Sequence, residues 1–479
     1  MFLRTLFFLL LASSAIAAPK PNVLFLMADD FRPELASYGS PALTPNLDRL
    51  SKRGIQFSRA YCQQAVCNPS RSSMLTGKRH DTLKIWCNSV GFRELNPDVK
   101  TLPEWFKDNG YVTRCVGKIF HNWHTKDKGD RRSWSADEFL HYANHGDDVA
   151  SVEGVLPPNL STGAVRKYGQ VEICECRDVP DEAYYDGRVA AEAVRVMGEI
   201  KDEPFFLAVG FWKPHAPFNA PKKYWDLYAA GSLPEFNPNR PEGAPDLAFH
   251  ESTELLGTGK DKVRLTPEQA LEWRRGYFAN ISYLDAQLGK VLDALDKNGL
   301  SENTIITFVG DNGYHIGEHE LWGKTSNFEY DAHVPLLISV PGSKNAGMTS
   351  ASLSELVDLF PTLVELCRLP KPEGLEGTSL VPLLENPSAA FKPASFTQHP
   401  RPAYYDRVGD RLPQTMGYSV RTASVRYTEW VDWKTKAVVA RELYHHAQDP
   451  SELKNCADDP AYREPQREAA ALLHAQLGR

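Results

Sequence analysis

NVLFLMADD, residues 22–30, is a short unbroken apolar run closed by two acids. A run of this length reads as a buried strand, and Asp29-Asp30 then stand where the strand ends. The same form recurs along the chain. YVTRCVG (111–117) ends in Lys118 with His121 three residues on, FFLAVGF (205–211) leads through Trp212 to Lys213-Pro214-His215, and TIITFVG (304–310) ends in Asp311-Asn312. PLLISV (335–340) is a fifth strand candidate. Helical spacing of apolar residues fills the intervals, in TPNLDRLSKRG (44–54), DEAYYDGRVAAEAVRVMGEI (181–200), the stretch 268–299 and SLSELVDLFPTLVELCRL (352–369). Strands alternating with helices predict an α/β fold, with a large, mostly parallel or mixed sheet sandwiched by helices. After about residue 390 the pattern changes. YSVRTASVRYTEWVDW (418–433) and KAVVARELYHH (436–446) predict a small antiparallel sheet, so residues 19–390 are expected to form the main α/β body and 391–479 a small C-terminal subdomain.

Composition narrows the function classes. Residues 1–18, with Arg4, a short apolar run and Ala15-Ile16-Ala17, read as a signal peptide. The mature protein is therefore expected outside the cytoplasm, periplasmic or secreted, or lysosomal in a eukaryote, with no membrane span. A formal charge of −7 gives no basic face for nucleic acid or anionic membrane as the main partner. The eight cysteines allow disulfides in an oxidising compartment, although Cys174 and Cys176 stand too close in sequence to pair with each other.

In open α/β sheets ligands bind beyond the carboxyl ends of the strands. If the four strands are parallel, one pole receives carboxylates, an amide, two lysines and two histidines. Each piece alone has an ordinary reading, since Asp-Asp and Asp-Asn-Gly are common turns. The agreement of four strands carries the argument. Asp29, Asp30, Asp311 and Asn312 offer hard oxygen ligands that suit calcium, with magnesium second, better than zinc or copper.

AVCNPSRSSMLTG (65–77) reads as a helix start, with Pro69 in the first turn and Gly77 closing it. Cys67 then lies at a helix N-terminus, which is expected to lower its thiol pKa, with Arg71 one turn on. A buried or disulfide-bonded cysteine beside a surface arginine is the competing reading. His315-Ile316-Gly317-Glu318-His319 matches the H-x-x-E-H zinc peptidase pattern, but Gly317 and the turn before it argue against the required helix. His315 is better placed near a substrate, and Glu318 and His319 as groups that order a loop.

Cys67-Asn68-Pro69-Ser70-Arg71 followed by Leu75-Thr76-Gly77 resembles the signature of type I sulfatases, whose cysteine is converted to formylglycine. Asp29-Asp30, Gly117-Lys118 with His121, KPHAPF, GDNG and Lys324 match in the same order, and the likeness runs from about residue 21 to about residue 450. Within that family, VGKIFH, AVGFWKPHAPF and GEHELWGKTSNFEYDAHVPL resemble iduronate-2-sulfatases, which carry histidine where this chain has Asn312. The resemblance implies an alkaline-phosphatase-like fold and an exo-acting sulfatase of sulfated saccharides. It implies calcium on Asp29, Asp30, Asp311, Asn312 and an oxygen of modified Cys67, and catalytic roles for Cys67, Arg71, Lys118, His121, His215 and Lys324. It also implies a formylglycine-generating enzyme as the maturation partner. Trp212, Tyr314 and His315 are candidate sugar contacts, and loops 122–165 and 219–262 are expected to shape the pocket. A phosphate mono- or diesterase on the same scaffold, or an inactive glycan-binding relative, are the alternatives.

Overall fold

The computed structural model describes residues 20–121, 129–139, 167–168, 171–229, 231–404 and 412–479. The segment read as a signal peptide and most of loop 122–165 lie outside the described residues. The central sheet has seven strands: β1 (Asn22–Asp29), β2 (Ile55–Phe57), β3 (Val112–Gly117), β4 (Phe205–Pro214), β5 (Thr304–Gly310), β6 (Leu336–Ser339) and β7 (Thr349–Ser350). Their order is β7-β2-β6-β5-β1-β4-β3. β3, β4, β1 and β5 pair in parallel, and β6 alone runs against both of its neighbours. The strand ends carrying Lys118, His215, Asp29 and Asp311 therefore do meet at one pole.

The apolar runs are continuous because helices cover both faces of the sheet. Successive side chains of a strand point to opposite faces. Leu24, Leu26 and Ala28 of β1 accordingly enter one core with α4 (Tyr185–Ile200) and the long α5 (Pro267–Lys297). Val23, Phe25 and Met27 enter the other with α2 (Cys67–Thr76), α3 (Leu102–Asp108) and α6 (Leu359–Leu366). Helix α1 (Pro45–Arg53) packs on α5 through Leu47 and Leu50. Each fully buried Leu or Phe of this set contributes roughly 1.5–3 kcal/mol relative to exposure. α5 starts on a capping box, Thr266 Oγ1 accepting from Gln269 N–H while Gln269 Oε1 accepts from Thr266 N–H, with Pro267 in the first turn.

One expected helix is shorter than its pattern. Residues 352–369 form a strand at Ser354–Glu355, a 3-10 turn at Leu356–Asp358 and then α6. Ser354 pairs with Ala60, and the carboxylates of Glu355 and Asp358 are held by Lys392, with Arg79 also on Glu355. Those tertiary partners outweigh local helix propensity. At the C-terminus, β8 (Ser395–Arg401), β9 (Thr415–Arg421), β10 (Val425–Asp432) and β11 (Val438–His445) form an antiparallel meander. It is covered by α7 (Arg463–Leu477), whose Ala469 and Leu473 fill the shared core. All eight cysteines are buried, and among the described residues no disulfide forms. Among the described residues no helix is long and apolar enough to cross a membrane.

Candidate active site

The pole is built by strands that approach more closely than side chains permit. Gly117 of β3 and Gly210 of β4 face each other, and a Cβ on either would strike the neighbouring backbone, Gly210 O in one case and Lys118 O in the other. Glycine at both positions lets Lys118 N–H donate to Gly210 O at 2.8 Å and turn its side chain over the strand ends. Beyond Gly210, β4 departs from the register of β1, and the Asp186 carboxylate at the start of α4 accepts from the N–H groups of Trp212 and Lys213 at 2.8 and 3.1 Å. His215 N–H then donates to Asp29 O at 3.1 Å.

Asp29, Asp30, Asp311 and Asn312 come together with no solvent exposure. One oxygen from each of the three carboxylates lies within 4.8 Å of the others. Asp311 Oδ1 accepts from Asp30 N–H at 2.9 Å and from Asn312 N–H at 2.8 Å. Burial pushes the Asp30 carboxyl up, and pushes Asp311 up to about 7 against the pull of Arg71. Asn312 Nδ2 donates to Asp30 Oδ1 at 2.8 Å and to Gly313 O at 2.9 Å, whereas its buried Oδ1 has no hydrogen-bond partner. A buried acceptor left open beside three carboxylates matches the donor set of a hard divalent cation.

Cys67 is the first residue of α2, and Ser70 Oγ ties that helix to the pole by donating to Asp311 O. Cys67 Sγ lies 3.3 Å from Asp29 Oδ1 and 3.9 Å from Asp30 Oδ1. The expected lowering of its pKa is reversed. Burial first, and then the Asp29 carboxylate, push the thiol well above its ordinary value although Lys118 and Lys324 pull it down. Burial, with the neighbouring acids added to it, outweighs the helix N-terminus here. Arg71 reaches back as expected, donating to Asp311 Oδ2 at 2.7 Å and Asp29 Oδ1 at 3.2 Å, and to Lys118 O and Ile119 O at 2.6 and 3.1 Å.

Lys118 Nζ donates to Asp29 Oδ2. Lys324 arrives on the segment leading into β6, whose reversed direction starts that strand at the pole. Its Nζ donates to Asp30 Oδ2 at 2.8 Å and lies 3.2 Å from His215 Nε2. Against the effect of burial, Asp30, Cys67 and Glu254 hold the Lys324 ammonium well above its ordinary value. Glu254 was not legible in the sequence: no strand or motif leads to it, and it sits on the short helix Thr253–Leu256 within loop 219–262. Against the cost of burial, Lys324 and His215 hold its carboxyl well below the usual range. His121 is buried three residues beyond Lys118. Lys213, the second lysine expected at the pole, turns away to Pro217 O at 2.9 Å and to Asn219 Oδ1.

The three candidate sugar contacts are buried beside the pole. Trp212 is 1% exposed, packs on Tyr185 and lies 5.8 Å from Lys118 Nζ. Tyr314, 0% exposed, stacks on Tyr277, with Lys324 Nζ 5.6 Å over its ring. Both rings lie against the lysines of the pole. His315 is also 0% exposed, its Nδ1 bonded to Asp331 Oδ1 at 2.7 Å and its Nε2 to His319 Nδ1 at 3.3 Å. Both ring nitrogens are taken by the protein. The zinc pattern fails as the glycine implied: residues 315–320 form a two-residue strand and a 3-10 turn, and Glu318 is held by Arg274 at 2.9 Å and Arg32 at 3.1 Å.

A family model described as sulfatase matches residues 21–368, and one described as N-sulphoglucosamine sulphohydrolase, C-terminal, matches residues 317–477. The chain is 32% identical to the iduronate 2-sulfatase of Mus musculus, over 95% of this chain and 92% of that protein. The structure of the phosphonate monoester hydrolase of Agrobacterium radiobacter aligns with a TM-score of 0.75 at 25% identity, over 95% of this chain and 96% of the other. A structure solved in complex with its substrate D-glucosamine-2-N,6-O-disulfate aligns with a TM-score of 0.72 at 22% identity, over 96% and 97%.

Proposed function

Because this chain belongs to the sulfatase family, and is by that membership a sulfuric ester hydrolase, we propose that it removes sulfate from a sulfated sugar as an exo-acting, iduronate-2-sulfatase-like enzyme. The observation that carries the reading is the convergence of Cys67, three carboxylates, Arg71, Lys118, His215 and Lys324 at one buried pole. Calcium held by Asp29, Asp30, Asp311, Asn312 and the oxygen at a modified position 67 would supply Lewis-acid polarisation and offset the charge of the bound sulfate. Conversion of Cys67 to formylglycine would supply a pair of hydroxyls, one to act as nucleophile and one to release sulfate, which a thiol cannot do.

The chain's own residues account for the rest. Arg71 holds Asp29 and Asp311 in place from beneath, and its removal would take from the buried Asp311 its ion-pair partner at a cost of about 3–5 kcal/mol, while Asp29 keeps Lys118. Lys118 and Lys324, now bonded to Asp29 and Asp30, are positioned to take sulfate oxygens and stabilise their charge. His215, beside Lys324, is the group for the proton of the departing sugar oxygen, and His121 for the proton released in the second half of the cycle. Residues 1–18 are read as a cleaved export signal, 19–390 as the catalytic unit and 391–479 as its companion, with a formylglycine-generating enzyme required for maturation.

The test is sulfate release from a panel of defined sulfated saccharides. Cys67→Ala is expected to lose at least about 1,000-fold, the scale of removing a covalent nucleophile. Retention of activity within a few-fold would overturn the mechanism, as would active protein in which mass spectrometry finds position 67 still a thiol. An aryl phosphonate assayed in parallel addresses the activity named for the phosphonate monoester hydrolase neighbour.

A further inference from the structure

Glu254 is a carboxylate at the pole that no strand end supplies. Its Oε1 lies 3.1 Å from His215 Nε2 and 3.2 Å from Lys324 Nζ, and its Oε2 lies 3.0 Å from the same ammonium. Those two nitrogens are themselves 3.2 Å apart. Tyr404 OH donates to Oε2 at 3.2 Å and fixes the carboxylate from the far side. The side chain is 15% exposed, against 3% for His215 and 2% for Lys324, so it stands on the outward side of the pair. We infer that Glu254 is a positioning residue for this reaction, clamping His215 Nε2 and Lys324 Nζ together so that the pair meets the ester oxygen of the departing sugar. The inference rests on the sulfatase reading above.

Lysine has a flexible four-carbon stem, and holding such a side chain in one place costs conformational entropy. Asp30 Oδ2 touches the same two nitrogens, at 2.8 and 3.5 Å, but Asp30 belongs to the acidic cluster assigned to a cation. Glu254 is the carboxylate outside that cluster seen on both donors. In the step it serves, the S–O bond to the sugar breaks and its electron pair stays on the sugar oxygen. That oxygen takes one proton from the His215–Lys324 pair, sulfur takes the oxygen of the incoming nucleophile, and the pair regains its proton from the water consumed by hydrolysis. Glu254 neither gives nor takes the proton. Its removal should therefore lower kcat far more than it changes KM, because misplacing a proton donor by an ångström costs about 100-fold, while Asp30 still holds Lys324 near the sulfate and Lys118 is unaffected.

Leaving-group dependence separates this role from a structural one. A nitrophenolate departs without a proton, whereas a sugar alkoxide needs one. The full chain, with conversion at position 67 verified, is compared with Glu254→Gln, Glu254→Ala and Glu254→Asp on 4-nitrophenyl sulfate and on a sulfated monosaccharide. The expected result for Gln and Ala is a loss of about 30- to 100-fold in kcat on the sugar sulfate with KM within about 3-fold, and under about 5-fold on the aryl sulfate. Asp, keeping the charge, should recover part of the loss. Equal losses on both substrates, or no loss beyond about 3-fold on either, would overturn the inference. Should the Ala variant fail to fold, the Gln and Asp pair decides. Wild type inactive on every sulfate ester would sink the sulfatase reading first and the inference with it.

Discussion

The side-chain oxygen of Asn312 is the clearest single pointer to a bound cation. Its amide nitrogen spends both hydrogens on Asp30 and Gly313, and the oxygen left over is buried and open. A ligand that binds only the folded state stabilises it, by about 2.7 kcal/mol at one hundred times its Kd. Chelation of the purified protein should therefore lower its Tm, and calcium should restore it. Asp311→Asn should abolish that calcium-dependent shift. Thermal melts with EDTA and with calcium check this, and a wild-type Tm indifferent to both would rule the cation out. The convergence of Asp29, Asp30, Asp311, Asn312 and Arg71 was legible because each sits at a strand or helix end, where polarity breaks an apolar pattern. The Cys67 thiol was misread for a physical reason. A helix N-terminus can be seen in the sequence, but Asp29 at 3.3 Å from its sulfur cannot.

At the scale of elements, β1, β3, β4 and β5 were readable because each is an apolar run bounded by turn or charge residues, and parallel pairing puts all four ends together. Two things escaped that logic. Lys324 reaches the pole only because β6 runs backwards, and strand direction leaves no mark on composition. Glu254 lies on a four-residue helix in a loop, where no periodicity announces a contact made 70 residues away with Lys324. Trp212, Tyr314 and His315 follow strand ends in the sequence, but their burial against Tyr185, Tyr277 and Asp331 depends on orientation, which neighbouring in sequence does not fix.

The small sheet carries its own titration. Glu442 of β11 accepts from Trp430 Nε1 at 2.7 Å and from Tyr444 OH at 2.6 Å, and burial pushes its carboxyl from 4.5 up to about 7. Between those values the folded state keeps a proton that the unfolded state has lost. Stability due to this group is thus present below about pH 4.5 and falls away as pH rises through about 7, by about 3 kcal/mol in all. Glu442→Gln keeps the shape and removes the titration, so its stability should decline less from pH 5 to pH 8. Urea unfolding of both proteins at the two pH values measures the difference, and parallel profiles would refute it.

Across the whole molecule, Arg401 is one of the side chains that join the C-terminal sheet to the pole. Arg401, at the end of β8, donates to Leu247 O at 2.7 Å, Ala248 O at 2.9 Å and Thr325 O at 2.9 Å, gripping the loops that carry Glu254 and Lys324. Tyr404, three residues on, reaches Glu254 itself. The pole thus draws on chain from Asp29 to beyond residue 400, and that spread has a consequence in time. Cys67 is 1% exposed once folded, and Arg71 waits 240 residues for Asp311. A ribosome adding about 5–20 residues per second needs about 12–48 s to bridge that gap. Until β5 is made, position 67 has no closed pocket around it. Afterwards the sulfur is buried, and an enzyme acting on it would be shut out. Nascent chains arrested before residue 304 should therefore be converted at Cys67 by the generating enzyme, while folded full-length thiol protein should resist it. Mass spectrometry of both after incubation distinguishes them, and ready conversion of the folded protein would remove the constraint. The order of strands in a sheet here sets a deadline, counted in codons, for the chemistry of one side chain.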